Sequence, residues 1–181
     1  LMFKIVTISD VVRIPPGLFD ESLEKAAKTV LTETYQGQII ENVGLVVSIL
    51  DVKVSDVGKI IPGDGGLYHR AVFKALVFIP VLHEVVEGEV ITVEDFGLFV
   101  RIGPLEGFIH RSQIYDDQFS YDKVQNAMLG RNTRYIVRKG DTVRARIVAV
   151  SLNVARLRGI RVGLTMRQPF LGKIEWIKIY L

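Results

Sequence analysis

The sequence predicts two domains of different class: an α+β unit with one main helix on an antiparallel sheet, then an all-β barrel. Three observations carry this. One stretch of helical period stands in the first half, between segments of strand character. Short strands and turn residues alternate through the second half. Around residues 82–86 the first pattern gives way to the second without a linker, which places the division at 1–82 and 83–181. With 181 residues, 49% hydrophobic and 24% charged, the chain has material for two cores.

Residues 3–12 alternate as a strand, and Pro15-Pro16-Gly17 ends it. A helix follows, with Asp20 as the expected N-cap because its carboxylate can accept from first-turn amides. Leu23, Ala26, Ala27, Val30 and Leu31 recur on one helical face, and Gly37 is a natural stop. A one-sided helix lies on a sheet. Residues 43–54 and 70–81 are the strands expected to pair beneath it, joined by a loop over 58–66. That loop carries Ile60 and Ile61 among turn residues. Apolar residues at a loop tip either mark a docking surface or fold back on the hairpin, and both readings stand here.

The second half reads as strands at 85–93, 97–102 and 108–110. A polar, aromatic stretch over 115–135, expected to be partly helical, comes next. Strands at 142–152 and 160–166 follow, and 173–181 alternates enough for a further strand. Five short strands with an excursion between the third and fourth are the layout of an OB fold. Phe96 and Phe99 flank Gly97-Leu98, and His110 ends the third strand. That spacing puts aromatic faces and a polar ring on one side of a small barrel, a surface that suits unpaired bases.

Charge is distributed unevenly. Acids dominate from residue 84 to 122, whereas Arg131, Arg134, Arg138, Lys139, Arg144, Arg146, Arg156, Arg158, Arg161, Arg167 and Lys173 face a single acid, Asp141. Arginine's planar fork suits phosphate. Arg144, Arg146, Arg158 and Arg161 are the candidate phosphate contacts, beside Phe96, Phe99 and His110 for bases.

Other chemistries lack their residues. Without cysteine there is no disulfide framework, thiol nucleophile or Cys-ligated zinc. His69, His83 and His110 are scattered without ligand spacing, so no metal or cofactor is expected. Asp116-Asp117 and Glu94-Asp95 read as turn residues. Ser112 has no third group to complete a triad, so no catalytic residue is assigned. No apolar run nears the roughly 20 residues that span a bilayer, and the N-terminus lacks a signal-peptide layout. A cytoplasmic protein without membrane contact is the expectation.

Gly88-x-Val90, Val93, Phe96-Gly97-Leu98-Phe99-Val100, Gly107-Phe108-Ile109-His110, Ser112 and Gly140-Asp141-x-Val143 together resemble an S1 RNA-binding domain over residues 85–166. The resemblance implies that Phe96, Phe99 and His110 contact single-stranded RNA. The family often has an aspartate at the end of the fourth strand, where this chain has Ser151, and a basic residue near the fifth, a role open to Arg158 or Arg161.

The first half narrows this further. A strand, a helix, two long strands and the tip Lys59, Ile60, Ile61, Pro62, Gly63, Asp64 and Gly65, all ahead of an S1 domain, resemble the E-prime family of archaeal DNA-directed RNA polymerase stalk proteins. That family is the counterpart of the seventh subunit of eukaryotic polymerase II. The resemblance covers essentially the whole chain, including the insertion over 115–137. It implies a truncated ribonucleoprotein-like N-terminal fold that docks on the polymerase core and clamp through the tip loop. It further implies a heterodimer with the smaller stalk subunit, a barrel that meets nascent RNA, and no catalytic residue. The alternative is an S1-type RNA-binding subunit of an RNA-processing complex, such as an exosome cap. The tip loop ahead of the barrel argues against that reading and against a translation-associated S1 module.

Overall fold

The computed structural model describes residues 2–152 and 159–178. Its contacts divide the chain into two units, Leu1–Ile79 and Pro80–Leu181.

In the first unit, strands β1 (Phe3–Ile14), β2 (Ile39–Ile40), β3 (Gly44–Ile60) and β4 (Leu67–Phe78) form an antiparallel sheet. The order is β1-β4-β3-β2. Helix α1 (Leu23–Tyr35) covers one face. The strand period of two decides which residues meet it: Ala71, Phe73, Ala75 and Val77 of β4 are buried in that core, while Arg70, Val72 and Lys74 face water. Ala26, Ala27 and Leu31 of α1 pack against Val12, Ile14, Val46, Ile49 and Phe73. Burying one such large side chain contributes about 1.5–3 kcal/mol. The Tyr35 hydroxyl donates to Asp10, which ties the last turn of α1 to β1.

Two local expectations are corrected in this unit. The N-cap of α1 is Ser22, whose hydroxyl accepts from Lys25 N at 3.4 Å, and not Asp20. Residues 15–21 are taken up by a 3-10 turn whose Leu18 carbonyl accepts from Glu21 N, so the helix begins later. Residues 58–60 are strand, not loop: Gly58, Lys59 and Ile60 pair with His69, Tyr68 and Leu67. Irregular register between Val54 and Gly58 absorbs the residues that would otherwise end the ladder. Buried His69 stabilises this bulge, its Nδ1–H donating to the Ser55 carbonyl at 2.8 Å. Its role is structural.

In the second unit, β5 (Val85–Glu94), β6 (Gly97–Ile102), β7 (Leu105–His110), β11 (Thr142–Leu152) and β12 (Ile160–Thr165) close into a five-stranded barrel. β11 and β12 pair to complete the ring, and β7 runs parallel to β12. Val90, Leu98, Val100, Ile109, Val143, Ile147 and Leu164 fill the interior. Gly88 is needed because neighbouring backbone is too close for a side chain: a Cβ there would lie 2.0 Å from the Arg101 carbonyl oxygen.

The excursion contains no α-helix. It forms a second sheet from β8 (Phe119–Asp122), β9 (Ala127–Gly130) and β10 (Ile136–Arg138), in the order β10-β9-β8. The reason is local: Asp122 Oδ1 accepts from Val124 N and Gln125 N, and Asn126 takes a left-handed φ of 50°, closing a hairpin. The expected last strand also changes. β13 (Gly172–Lys173) pairs with β11, then α2 (Ile174–Lys178) begins. Its Trp176 stacks on Tyr135 at 4.5 Å between ring centroids, so burial of an aromatic anchor outweighs strand alternation.

Candidate nucleic-acid interface

β6 and β7 place the aromatic residues on the outside of the barrel. Along β7 the period of two sends Gly107 and Ile109 inward and leaves Phe108 and His110 outward. Phe99 pairs with Phe108, and Gly97 pairs with His110. Phe96, 46% exposed, lies in the turn before β6. Ring centroids are 6.2 Å apart for Phe96 and Phe99, 5.7 Å for Phe96 and Phe108, 5.3 Å for Phe99 and Phe108, and 6.3 Å for Phe108 and His110. The four rings make one continuous outer row. Gly97 allows it: a Cβ there would come within 2.7 Å of the Phe108 ring.

His110 is oriented by Ser112, whose backbone N–H donates to Nδ1 at 3.2 Å. Ser112 Oγ lies 2.8 Å from the same nitrogen, so both contacts from Ser112 hold Nδ1 and leave Nε2 on an exposed side chain at the end of the row. The arrangement can stack unpaired bases and offer Nε2 for a hydrogen bond, and each stacked base contributes about 1–3 kcal/mol.

Phe96, Phe99 and His110, expected from the spacing, are thus brought together. Phe108 completes the row. Arg101, exposed on β6 and paired with Glu106, stands on the same outer face two residues from Phe99. Its signal in the sequence was that i, i+2 spacing. Arg161, exposed on β12, lies two residues before Gly163, which pairs with Phe108, so it too shares this face.

Arg144 and Arg146 do not join the row. Arg144 pairs with Glu87 at 2.8 Å and also donates to the Phe170 carbonyl. Arg146 donates to Gln168 at 2.6 Å and to the His83 carbonyl. Their strand meets β5 at Glu87 and Val85, whereas Phe99 meets β5 at Thr92, farther along. Guanidinium groups spent inside the fold are poor phosphate contacts. Arg158 lies outside the described residues. Ser151 is exposed and pairs with Arg161.

In the first unit, Asp64 organises the tip loop. Its carboxylate accepts from Arg13 Nε at 3.0 Å and Nη2 at 2.6 Å, from Gly66 N at 2.9 Å, and from the Tyr68 hydroxyl. The Arg13 guanidinium, then Tyr68, hold this carboxyl well below its usual range. Asp64 therefore frames the loop, while Ile60 and Ile61 are 73% and 48% exposed. Among the described residues there is no cluster of His, Cys, Asp or Glu able to hold a metal, and no helix long and apolar enough to cross a membrane.

Comparison with known proteins places both units. Residues 9–65 match the SHS2 domain found in the N terminus of Rpb7p/Rpc25p, and residues 80–159 match the S1 RNA binding domain. The chain is 44% identical over 176 residues to the DNA-directed RNA polymerase subunit Rpo7 of Saccharolobus shibatae, covering 97% of each chain. It is equally similar, at 44%, to Rpo7 of Sulfolobus acidocaldarius, covering 97% of this chain and 95% of that one. Against the RNA polymerase II subunit rpb7 of Schizosaccharomyces pombe the identity is 26% over 172 residues, with 94% and 98% covered.

Proposed function

The chain belongs to the Rpo7 family of DNA-directed RNA polymerase subunits, and from that premise we propose that its barrel takes up single-stranded RNA as the polymerase releases it. The aromatic row Phe96, Phe99, Phe108 and His110 carries this reading. Arg101 and Arg161 flank it and meet phosphates. The N-terminal unit docks on the polymerase core and clamp through Ile60 and Ile61 on the frame set by Asp64, and it pairs with a smaller stalk subunit. A cytoplasmic location goes with this reading. The subunit contributes binding, not chemistry, to a nucleotidyltransferase.

Titration with single-stranded RNA tests the row. Changing Phe96→Ala and Phe99→Ala together removes two stacking faces, and at about 1–3 kcal/mol per base affinity falls at least tenfold. Unchanged affinity with an intact barrel would remove this face from the account.

A further inference from the structure

Beside the aromatic row, the inserted sheet and the end of β12 enclose an open groove of about 1170 Å³. Four arginines line it: Arg111, Arg131, Arg134 and Arg167. Two carboxylates also line it, and both are already engaged. Asp116 pairs with Arg167 at 3.0 Å. Asp117 points into the 131–134 loop, accepting from Asn132 N at 3.1 Å, Thr133 N at 2.9 Å and Thr133 Oγ1 at 2.7 Å. The Thr133 backbone donor leads the causes that hold this carboxyl down at about 2. Among the described residues no carboxylate pairs with Arg111, Arg131 or Arg134; Arg131 makes one long bond, to Gln118 Oε1 at 3.4 Å, against the two shorter bonds that hold Arg146.

The loop is built to present these groups. Gly130 leaves room for it to close on Asp117, since a Cβ there would lie 2.5 Å from Thr133 Oγ1 and 2.7 Å from Asp117 Oδ2. Arg134 holds a left-handed φ of 62°, a conformation rarely adopted by residues with a side chain and kept here by the surrounding bonds. The groove also begins where the aromatic row ends. Arg111 follows His110, and its backbone N–H donates to the Phe96 carbonyl at 3.0 Å. Guanidinium forks without a carboxylate partner, gathered in a groove, match the geometry of phosphate oxygens.

We infer that this groove is a second RNA site, holding the sugar-phosphate backbone of the strand whose bases stack on the neighbouring aromatic row. The inference rests on the RNA reading of that row. It extends the footprint past the barrel's stacking face onto the insertion, and it gives the hairpin β8–β9 and the 131–134 loop a role. Recognition is by phosphate, so the added contacts are independent of base sequence and sensitive to salt.

The test uses the full chain and two oligouridylates, of about 4 and about 16 nucleotides, the span of footprints on one such barrel. Arg131→Ala with Arg134→Ala should leave the short probe's affinity unchanged and weaken the long probe about tenfold. On a single strand each lost phosphate contact removes about 0.7 from the log–log salt slope, so the long probe's slope should fall by about 1.4. Arg111→Ala, on a different segment and outside the Asp117 frame, should act on the long probe in the same direction, which separates loss of charge from loss of loop structure. The inference is overturned if the long probe keeps its affinity and slope in both variants. It is also overturned if RNA binding is untouched while a protein partner is lost from the assembled polymerase, which would assign the groove to an acidic polypeptide. Failure of the stacking reading looks different: Phe96→Ala with Phe99→Ala would then leave the short probe unaffected.

Discussion

Replacing Gly97 by alanine perturbs the barrel and the aromatic row at a single atom. The added Cβ would sit 2.2 Å from the Ile109 carbonyl oxygen and 2.7 Å from Phe108 Cε2. Ordinary carbon contacts lie near 3.5–4.0 Å, so β6 and β7 must separate by about 1 Å or the Phe108 ring must swing away. The closest neighbour is backbone, which leaves little room for a rotamer change. Overpacking of this kind costs about 1–3 kcal/mol. At about 4–8 °C per kcal/mol for a unit of this size, the barrel's melting transition should fall by on the order of 10 °C. Displacing Phe108 also removes one stacking face, about 1–3 kcal/mol per base, or roughly a 5- to 150-fold loss of RNA affinity. Calorimetry and an RNA titration on the same preparation read both effects. Phe96→Ala is the control: its ring is half exposed, so RNA affinity should drop while the transition moves far less. An alanine at 97 that left both melting and RNA binding at parent values would refute the idea that Gly97 exists to seat the Phe108 ring against β6.

Three further outcomes follow from the first unit. Burial, then the bond to Asp10, raises the Tyr35 hydroxyl from 10.0 to about 12. A raised folded value means its contribution is whole below pH 10 and is lost as pH climbs through about 12. Tyr35→Phe should flatten the alkaline limb of a stability–pH curve in that window, and an unchanged limb would contradict the assignment. The depressed Asp64 carboxyl works in the opposite direction. Its stabilisation is present above the unfolded value of 3.8 and fades as pH falls below it, so Asp64→Asn should make the tip loop more susceptible to limited proteolysis at neutral pH. Changing both Ile60 and Ile61 to aspartate should leave the unit folded, because both are exposed, but abolish capture by the polymerase core in a pull-down.

The parts of the fold legible in the sequence were those governed by local rules. Glycines at 88, 97 and 107 mark close approaches of neighbouring atoms, and the alternation around Leu98 and Ile109 sets which residues face in. Phe96, Phe99 and His110 could be placed together on that basis alone. What was not legible depended on partners distant in the chain. Arg144 shows a charge but not its ion pair with Glu87, 57 residues away. Residues 115–135 carry no strict period, and the Asp122 turn that makes them a hairpin is a side-chain-to-backbone bond that composition only hints at. Residues 58–60 look like loop because glycine and lysine are poor strand formers, yet His69 and its bond to Ser55 keep the ladder going. Phe108 and Arg101 were missed as site residues although the strand period puts them beside Phe99.

One measurement tests most directly the claim that this barrel face receives the transcript. A photoreactive phenylalanine analogue replaces Phe99 in the full chain, which is assembled into polymerase and halted with a labelled transcript long enough to leave the enzyme. On irradiation a crosslink should form between residue 99 and the emerging RNA, and should be lost when the transcript is too short to exit. A crosslink to polymerase protein alone, at every transcript length, would contradict it.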